Sequence, residues 1–227
     1  MQFALLNLKL QINDKIYIKD PETSGLGRKI LQQSILLIDE LGFEAFTFKK
    51  LGERIGSNES SVYRYFENKH KLLLYLSSWY WSWMEYRLVF GTANLYEPME
   101  RLKKAITLVT EETVDDAATE HINESVLKKI IINDFSKTFL TKEVDQENRD
   151  GFFQIYIRVI QRIAAIVKEV APDYPYAETL VSTMVEGALH QHFLKDHLNL
   201  ITNCNGTVTP TDFYMDLITN VLKQPKI

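Results

Sequence analysis

Residues 42–69 read Gly42-Phe43-Glu44-Ala45-Phe46-Thr47-Phe48-Lys49-Lys50-Leu51-Gly52-Glu53-Arg54-Ile55-Gly56-Ser57-Asn58-Glu59-Ser60-Ser61-Val62-Tyr63-Arg64-Tyr65-Phe66-Glu67-Asn68-Lys69. Two short helices are written into this stretch. Thr47 is a good N-cap, Leu51 and Ile55 repeat at i, i+4, and Gly56 stands where a helix can stop in the left-handed conformation. Asn58 is a second N-cap, for a helix expected to run to about Phe66. Two short helices meeting at a tight glycine-containing turn make a helix-turn-helix. In that motif the second helix lies in the DNA major groove and the first crosses the backbone.

The second helix has two unlike sides. With Val62 at the centre of its buried face, Phe66 also points inward at 100° per residue, and Ser60 and Arg64 fall opposite, flanked by Ser61 and Tyr63. Small residues let a helix approach base edges. Arg64 can donate two hydrogen bonds to a guanine or bind a phosphate. Tyr63, Tyr65 and Lys69 carry donors suited to phosphate oxygens. Thr47, at a helix N-terminus, offers a hydroxyl and free backbone N–H groups. Glu59 either accepts from cytosine or complements the helix dipole. With Lys49 and Asn58 these residues form the expected DNA-contacting set.

Working outward, Ile30, Leu31, Ser34, Ile35, Leu37, Ile38 and Leu41 make one apolar helical stripe that Gly42 ends. Upstream, Leu6, Leu8, Leu10 and Ile12 alternate with polar residues ahead of Asn13-Asp14 and Lys15-Ile16-Tyr17-Ile18. That alternation suggests either a short β-hairpin or a loose arm. Downstream the pattern stays helical, with segments near 69–90, 98–113, 122–140, 146–171, 175–198 and 210–223, punctuated by Pro98, Pro172, Pro175 and Pro210. There is no β–α alternation, so a parallel sheet is not expected. The expected fold is all-α: a three-helix head on a helical bundle, preceded by the short β-hairpin or loose arm. The expected domains are an extension over 1–23, a DNA-binding head over 24–68 and a bundle over 69–227.

The head resembles the TetR family of transcriptional regulators. The elements that carry the resemblance are Gly42-Phe43, Thr47, Gly56, Tyr63-Arg64-Tyr65-Phe66 and Lys69, within about residues 26–75. The chain departs from the family pattern at Gly52, where alanine is usual, and at Ser57, where a small apolar residue is usual. Gly52 and Ser57 are expected to loosen the packing of the second and third helices. The resemblance implies nine or so helices, a palindromic DNA site, a homodimer and a small-molecule effector, in a repressor rather than an enzyme. It assigns the dimer interface to the last two helices, where Leu180, Met184, Gly187, Ala188, Phe213, Leu217 and Val221 fit an interface stripe. An internal core helix is the competing reading of 175–198. Gly187 in mid-helix fits a close helix approach. The effector pocket is expected at Trp79, Trp83, Tyr86, Phe135 and Tyr156, although crowded aromatics such as Trp79 and Trp83 also fill ordinary cores.

Bulk properties agree with this reading without proving it. The chain has 227 residues, is 45% hydrophobic and 25% charged, and carries a net charge of −4. Residues 1–75 hold 11 Lys/Arg against 9 Asp/Glu, so the head is the less acidic part. Cys204 is the only cysteine, which excludes an intramolecular disulfide framework. Asn7, Lys9 and Gln11 interrupt the opening, so no signal peptide is expected. No run of ~18 apolar residues suggests a membrane span, and a cytoplasmic location is expected. His190, His192 and His197 lack the carboxylate-paired spacing of a metal site, and no catalytic motif is present. Neither metal nor cofactor is therefore expected. A protein-interaction module that no longer reads DNA is the alternative function.

Overall fold

The computed structural model describes residues 10–116 and 119–223. Among them there are eleven α-helices and no strand. The first three follow the caps in the sequence. Ser24 accepts from the Gly27 N–H and opens α1 (Gly25–Leu41), which buries Ile30, Leu31, Ser34, Ile35, Leu37 and Ile38. Thr47 accepts from the Lys50 N–H and opens α2 (Phe48–Ile55). Asn58 accepts from the Ser61 N–H and opens α3 (Glu59–Tyr63). This third helix stops three residues short of Phe66. The N–H groups of Tyr65 and Phe66 both donate to the Val62 carbonyl as the chain unwinds, and both rings are buried.

Helix α4 (Lys69–Thr92) has no polar face: every residue from Leu72 to Met84 is buried. Uniform apolar character of this kind belongs to a helix enclosed by protein. Pro98, at the first position, opens α5 (Pro98–Thr110). The stretch 122–140 is two helices, α6 (Glu124–Asn133) and α7 (Phe135–Phe139). They part at Asp134, whose carbonyl takes the Lys137 and Thr138 N–H groups and whose side chain takes the Lys137 ammonium. Aspartate competes with helix interiors through such local bonds. The expected helix over 146–171 is likewise α8 (Val144–Arg149) and α9 (Gln154–Val170), with a turn through Gly151 between them. Helices α10 (Ala177–His197) and α11 (Pro210–Lys223) complete the chain. No helix of the described residues is long and apolar enough to cross a membrane.

The hairpin expected over 5–18 is not formed where it can be seen. Most of its first strand lies in 1–9, outside the described residues. In its second half, Asp14–Ile16 is a single 3-10 turn capped by Asn13, whose side chain accepts from the Lys15 N–H. Asparagine turn chemistry prevails there over the period-two alternation. The segment then packs on the head: Ile16 is buried, the Ile18 N–H donates to the Tyr65 carbonyl at 2.8 Å, and Tyr17 meets Tyr75 edge-on.

The chain forms two compact units. One comprises Met1–Ser82 with Thr113–Gln154, and the other Trp83–Glu112 with Ile155–Ile227. In the first, α1 to α3 sit with the start of α4 and with α6 to α8. Its core includes Phe46, Leu51, Val62, Phe66 and Tyr75. Polar ties within it join His70 to Glu147 (2.7 Å), His121 to Glu22 (2.9 Å) and the Asn13 amide to the Asp150 carbonyl (2.8 Å). In the second unit, Leu102, Ile106, Val159, Ile163, Val181, Ala188 and Ile218 form the centre. The buried His192 ring donates to the Thr110 carbonyl at 2.8 Å there.

Candidate nucleic-acid interface

The α2–α3 turn is fixed by two glycines. Gly56 holds φ 70°, ψ 36° and its N–H returns to the carbonyls of Glu53 and Gly52, a left-handed closure that costs a residue with a Cβ about 1–2 kcal/mol. Gly52 lets the turn come close: a Cβ there would lie 3.0 Å from the Asn58 carbonyl carbon and the Glu59 nitrogen. Thus Gly52 tightens the union of α2 and α3, where a loosening was expected. The Ser57 N–H also closes on the Gly52 carbonyl at 2.9 Å.

Val62 and Phe66 are wholly buried, so α3 is anchored as its periodicity requires. On the other side Asn58, Ser60, Tyr63 and Arg64 are exposed, and Glu59 and Ser61 are half-buried. Thr47 and Lys49, at the start of α2, are exposed as well. Asn58 organises the small residues: its Oδ1 accepts from the hydroxyls of Ser60 (2.7 Å) and Ser61 (2.9 Å) and from the Ser61 N–H (3.0 Å). The Tyr63 ring packs edge-on against Phe48, centroids 5.0 Å apart. Desolvation, and then the facing Glu59 carboxylate, push the Tyr63 hydroxyl above its ordinary pKa.

The cations of the head divide sharply. Lys50 donates to the Ala45 carbonyl, Lys29 to the Ile55 carbonyl, and Arg54 pairs with Glu40. Lys69 reaches the carbonyls of Phe43 and Glu44 at 3.0 Å and lies over the Phe43 ring. It therefore ties the 43–46 turn to α4. Lys49 and Arg64 are exposed, and neither side chain has a hydrogen bond or ion pair among the described residues.

Two residues of the expected set thus stand apart from the outward face. Lys69 is half-buried and holds backbone carbonyls. Tyr65 is only 3% exposed, and its hydroxyl meets Ser24 Oγ at 2.8 Å. Its inward position was legible, since Tyr65 lies at i+3 from Val62, within 60° of the buried direction. The contribution of Ser24 was not anticipated.

The other expected sites are placed as follows. Trp79 and Trp83 are buried, and Tyr86, Phe135 and Tyr156 are half-buried. Trp79 and Phe135 belong to the first unit, and Trp83, Tyr86 and Tyr156 to the second. Arg87 lies over the Trp83 ring, and the Tyr156 hydroxyl donates to Glu186 at 2.8 Å. Burial and then Glu186 push the Tyr156 hydroxyl far above its usual pKa. In α10, Met184 and Ala188 point into the core, and Leu180 and Gly187 are half-buried. Gly187 makes a close approach, but to α11 of its own chain: the Tyr214 hydroxyl occupies the place a Cβ would need. Phe213 and Leu217 are 44% and 37% exposed, and Val221 is half-buried.

Residues 30–76 match the family model described as bacterial regulatory proteins, tetR family. No curated protein matches the chain. Among solved structures, the superantigen PfiT has a TM-score of 0.60 at 17% identity, over 91% of this chain and all of that one. The TetR family transcriptional regulator PfmR from Thermus thermophilus has a TM-score of 0.55 at 14% identity, over 87% of this chain and 99% of that one. AibR, in complex with isovaleryl coenzyme A and operator DNA, has a TM-score of 0.51 at 18% identity, over 88% and 100%. Residues 30–76 are thus similar to bacterial regulatory proteins of the tetR family, and the chain has a fold like that of a TetR family transcriptional regulator.

Proposed function

We propose that this protein is a cytoplasmic repressor that binds palindromic DNA as a two-fold dimer and whose DNA affinity is set by a small molecule. The observation that carries the reading is the outward face of α3. It is small and polar, it is held in shape by Asn58, and it carries an arginine whose side chain has no hydrogen bond or ion pair among the described residues. A fold alone would not suffice, because one fold hosts many functions and the superantigen PfiT is similar to this chain too. Arg64 and Lys49 supply the cations, Thr47, Asn58, Ser60, Ser61 and Tyr63 the hydrogen bonds, and a dimer would set two recognition helices ~34–36 Å apart in successive major grooves.

Phe213, Leu217 and Val221 on α11 are the proposed centre of the dimer contact, with Leu180 and Gly187 at its edge. Within the second unit, Trp83, Tyr86 and Tyr156 are the proposed surroundings of the effector. An effector acts by binding better to the form that does not fit DNA, and only by that difference. The complex of AibR contains a coenzyme A thioester together with operator DNA, which makes acyl-coenzyme A thioesters a sensible first panel.

The test is selection of genomic fragments by the purified protein, followed by footprinting. A palindromic footprint, lost steeply with salt, is the expected result. Weak binding that prefers no duplex over another would refute the reading.

A further inference from the structure

Most polar groups on the outward side of α3 are already engaged. The Ser60 and Ser61 hydroxyls donate to Asn58, and Ser57 donates to Ser61 at 2.9 Å. Arg64 has donors only. Glu59 is different. It stands at the first position of α3, half-buried, as the only carboxylate of that helix. Its neighbour one turn on, Tyr63, is braced by Phe48 and faces it. Glu59 has no ion pair among the described residues.

A carboxylate this close to DNA is costly beside phosphates and useful only beside a donor. Ionised, it is an acceptor with no proton to give. In the major groove cytosine offers the N4 amine, whereas guanine offers N7 and O6 and thymine O4, all acceptors that repel it; adenine pairs its N6 amine with an adjacent N7 acceptor. Building on the DNA-reading function proposed above, we infer that Glu59, positioned by Tyr63, reads one cytosine in each half-site and rejects guanine and thymine there. Tyr63 then positions Glu59 as well as supplying a hydrogen bond to the DNA.

Selection from a random duplex library, with the wild type, Glu59→Gln and Tyr63→Phe, tests this. The wild type is expected to require cytosine at one position per half-site. Glu59→Gln should lose that preference by about tenfold or more, while preferences elsewhere and the number of phosphate contacts read from the salt slope stay the same. Tyr63→Phe should keep cytosine first but with smaller discrimination. Thermal melts of both variants check that the head stays folded. An unchanged base preference in Glu59→Gln overturns the proposal and leaves DNA reading intact. A uniform change in affinity at every sequence also overturns it, assigning Glu59 to the helix dipole. A wild type without any preferred sequence overturns the regulator reading itself.

Discussion

Helix α3 and the pair α10–α11 are built by the same arithmetic and leave opposite chemistry outside. In both, one face is sealed: Val62 and Phe66 under α3, Ala188 and Ile218 between α10 and α11. Outside α3 stand hydroxyls, an amide and a free guanidinium. Outside the C-terminal pair stand Phe213 and Leu217, and the segment joining the helices leaves Leu200 97% exposed. A solvated cation is cheap to leave in water, and it waits for an anion. Clustered apolar side chains in water mark a surface that protein covers. Periodicity therefore locates the inside of each helix, while only the residues left outside say what kind of partner each helix has.

The strongest way to break that contrast is to truncate one phenylalanine on each side of it. Phe66→Ala empties a fully buried site, and about 3–5 kcal/mol of stability should go with it. Phe213→Ala, nearly half exposed, should cost the isolated protomer about 0.5 kcal/mol or less. Denaturant melts at concentrations low enough to separate protomers read both. Equal losses would mean that the exposed face of α11 is packed after all, and the distinction between the two regions would collapse.

A smaller effect sharpens the contrast by acting on association alone. Phe213→Asp with Leu217→Asp places two charges on the apolar edge of α11. The cost to dimerisation should be about 3 kcal/mol, roughly two powers of ten in the dissociation constant. Sedimentation at micromolar concentration should then find protomers with native helix content. DNA affinity should fall in parallel, because one recognition helix lacks its mate. A double variant that sediments as the wild type does would refute the proposed dimer contact through α11.

The two regions also differ in how legible they were. The head could be read almost residue by residue, since Thr47, Gly56 and Asn58 are local devices whose partners lie two to four residues away. What was lost there came from longer range: the Ser24 hydroxyl that engages Tyr65 is 41 residues distant, and the carbonyls held by Lys69 are more than 20. In α10 the sequence shows an apolar stripe but cannot say which neighbour covers it. Met184 and Ala188 turned out to face their own core, and Gly187 admits Tyr214 from 27 positions on. The break at Asp134 escaped periodicity because apolar residues flank it, Ile130 to Ile132 before and Phe135 after, whereas the break at Gly151 follows a polar run over 145–150 and was marked by its glycine rather than by periodicity. Over 13–16 the difference has the opposite origin: a 3-10 turn capped by the Asn13 side chain stands where the alternation suggested a strand.

The finest test uses two adjacent residues, Arg64 and Tyr65, which the chain sends in opposite directions. Arg64→Ala removes an exposed side chain with no hydrogen bond or ion pair among the described residues, so stability should change by less than about 0.5 kcal/mol. DNA affinity should nonetheless fall by about 1–3 kcal/mol if the guanidinium reads a base, with one position of the site relaxed. A uniform loss with a shallower salt dependence would assign it to a phosphate instead. Tyr65→Phe removes the hydroxyl that meets Ser24 Oγ at 2.8 Å. The expected cost is about 1 kcal/mol of stability, with the sequence preference and the salt slope both unchanged, because the ring is buried and the hydroxyl lies against α1's cap rather than in the groove. If Tyr65→Phe alters the salt slope while Arg64→Ala does not, then the outward side of α3 has been assigned to the wrong residues, and the contrast between a nucleic-acid face and a protein face loses its first half.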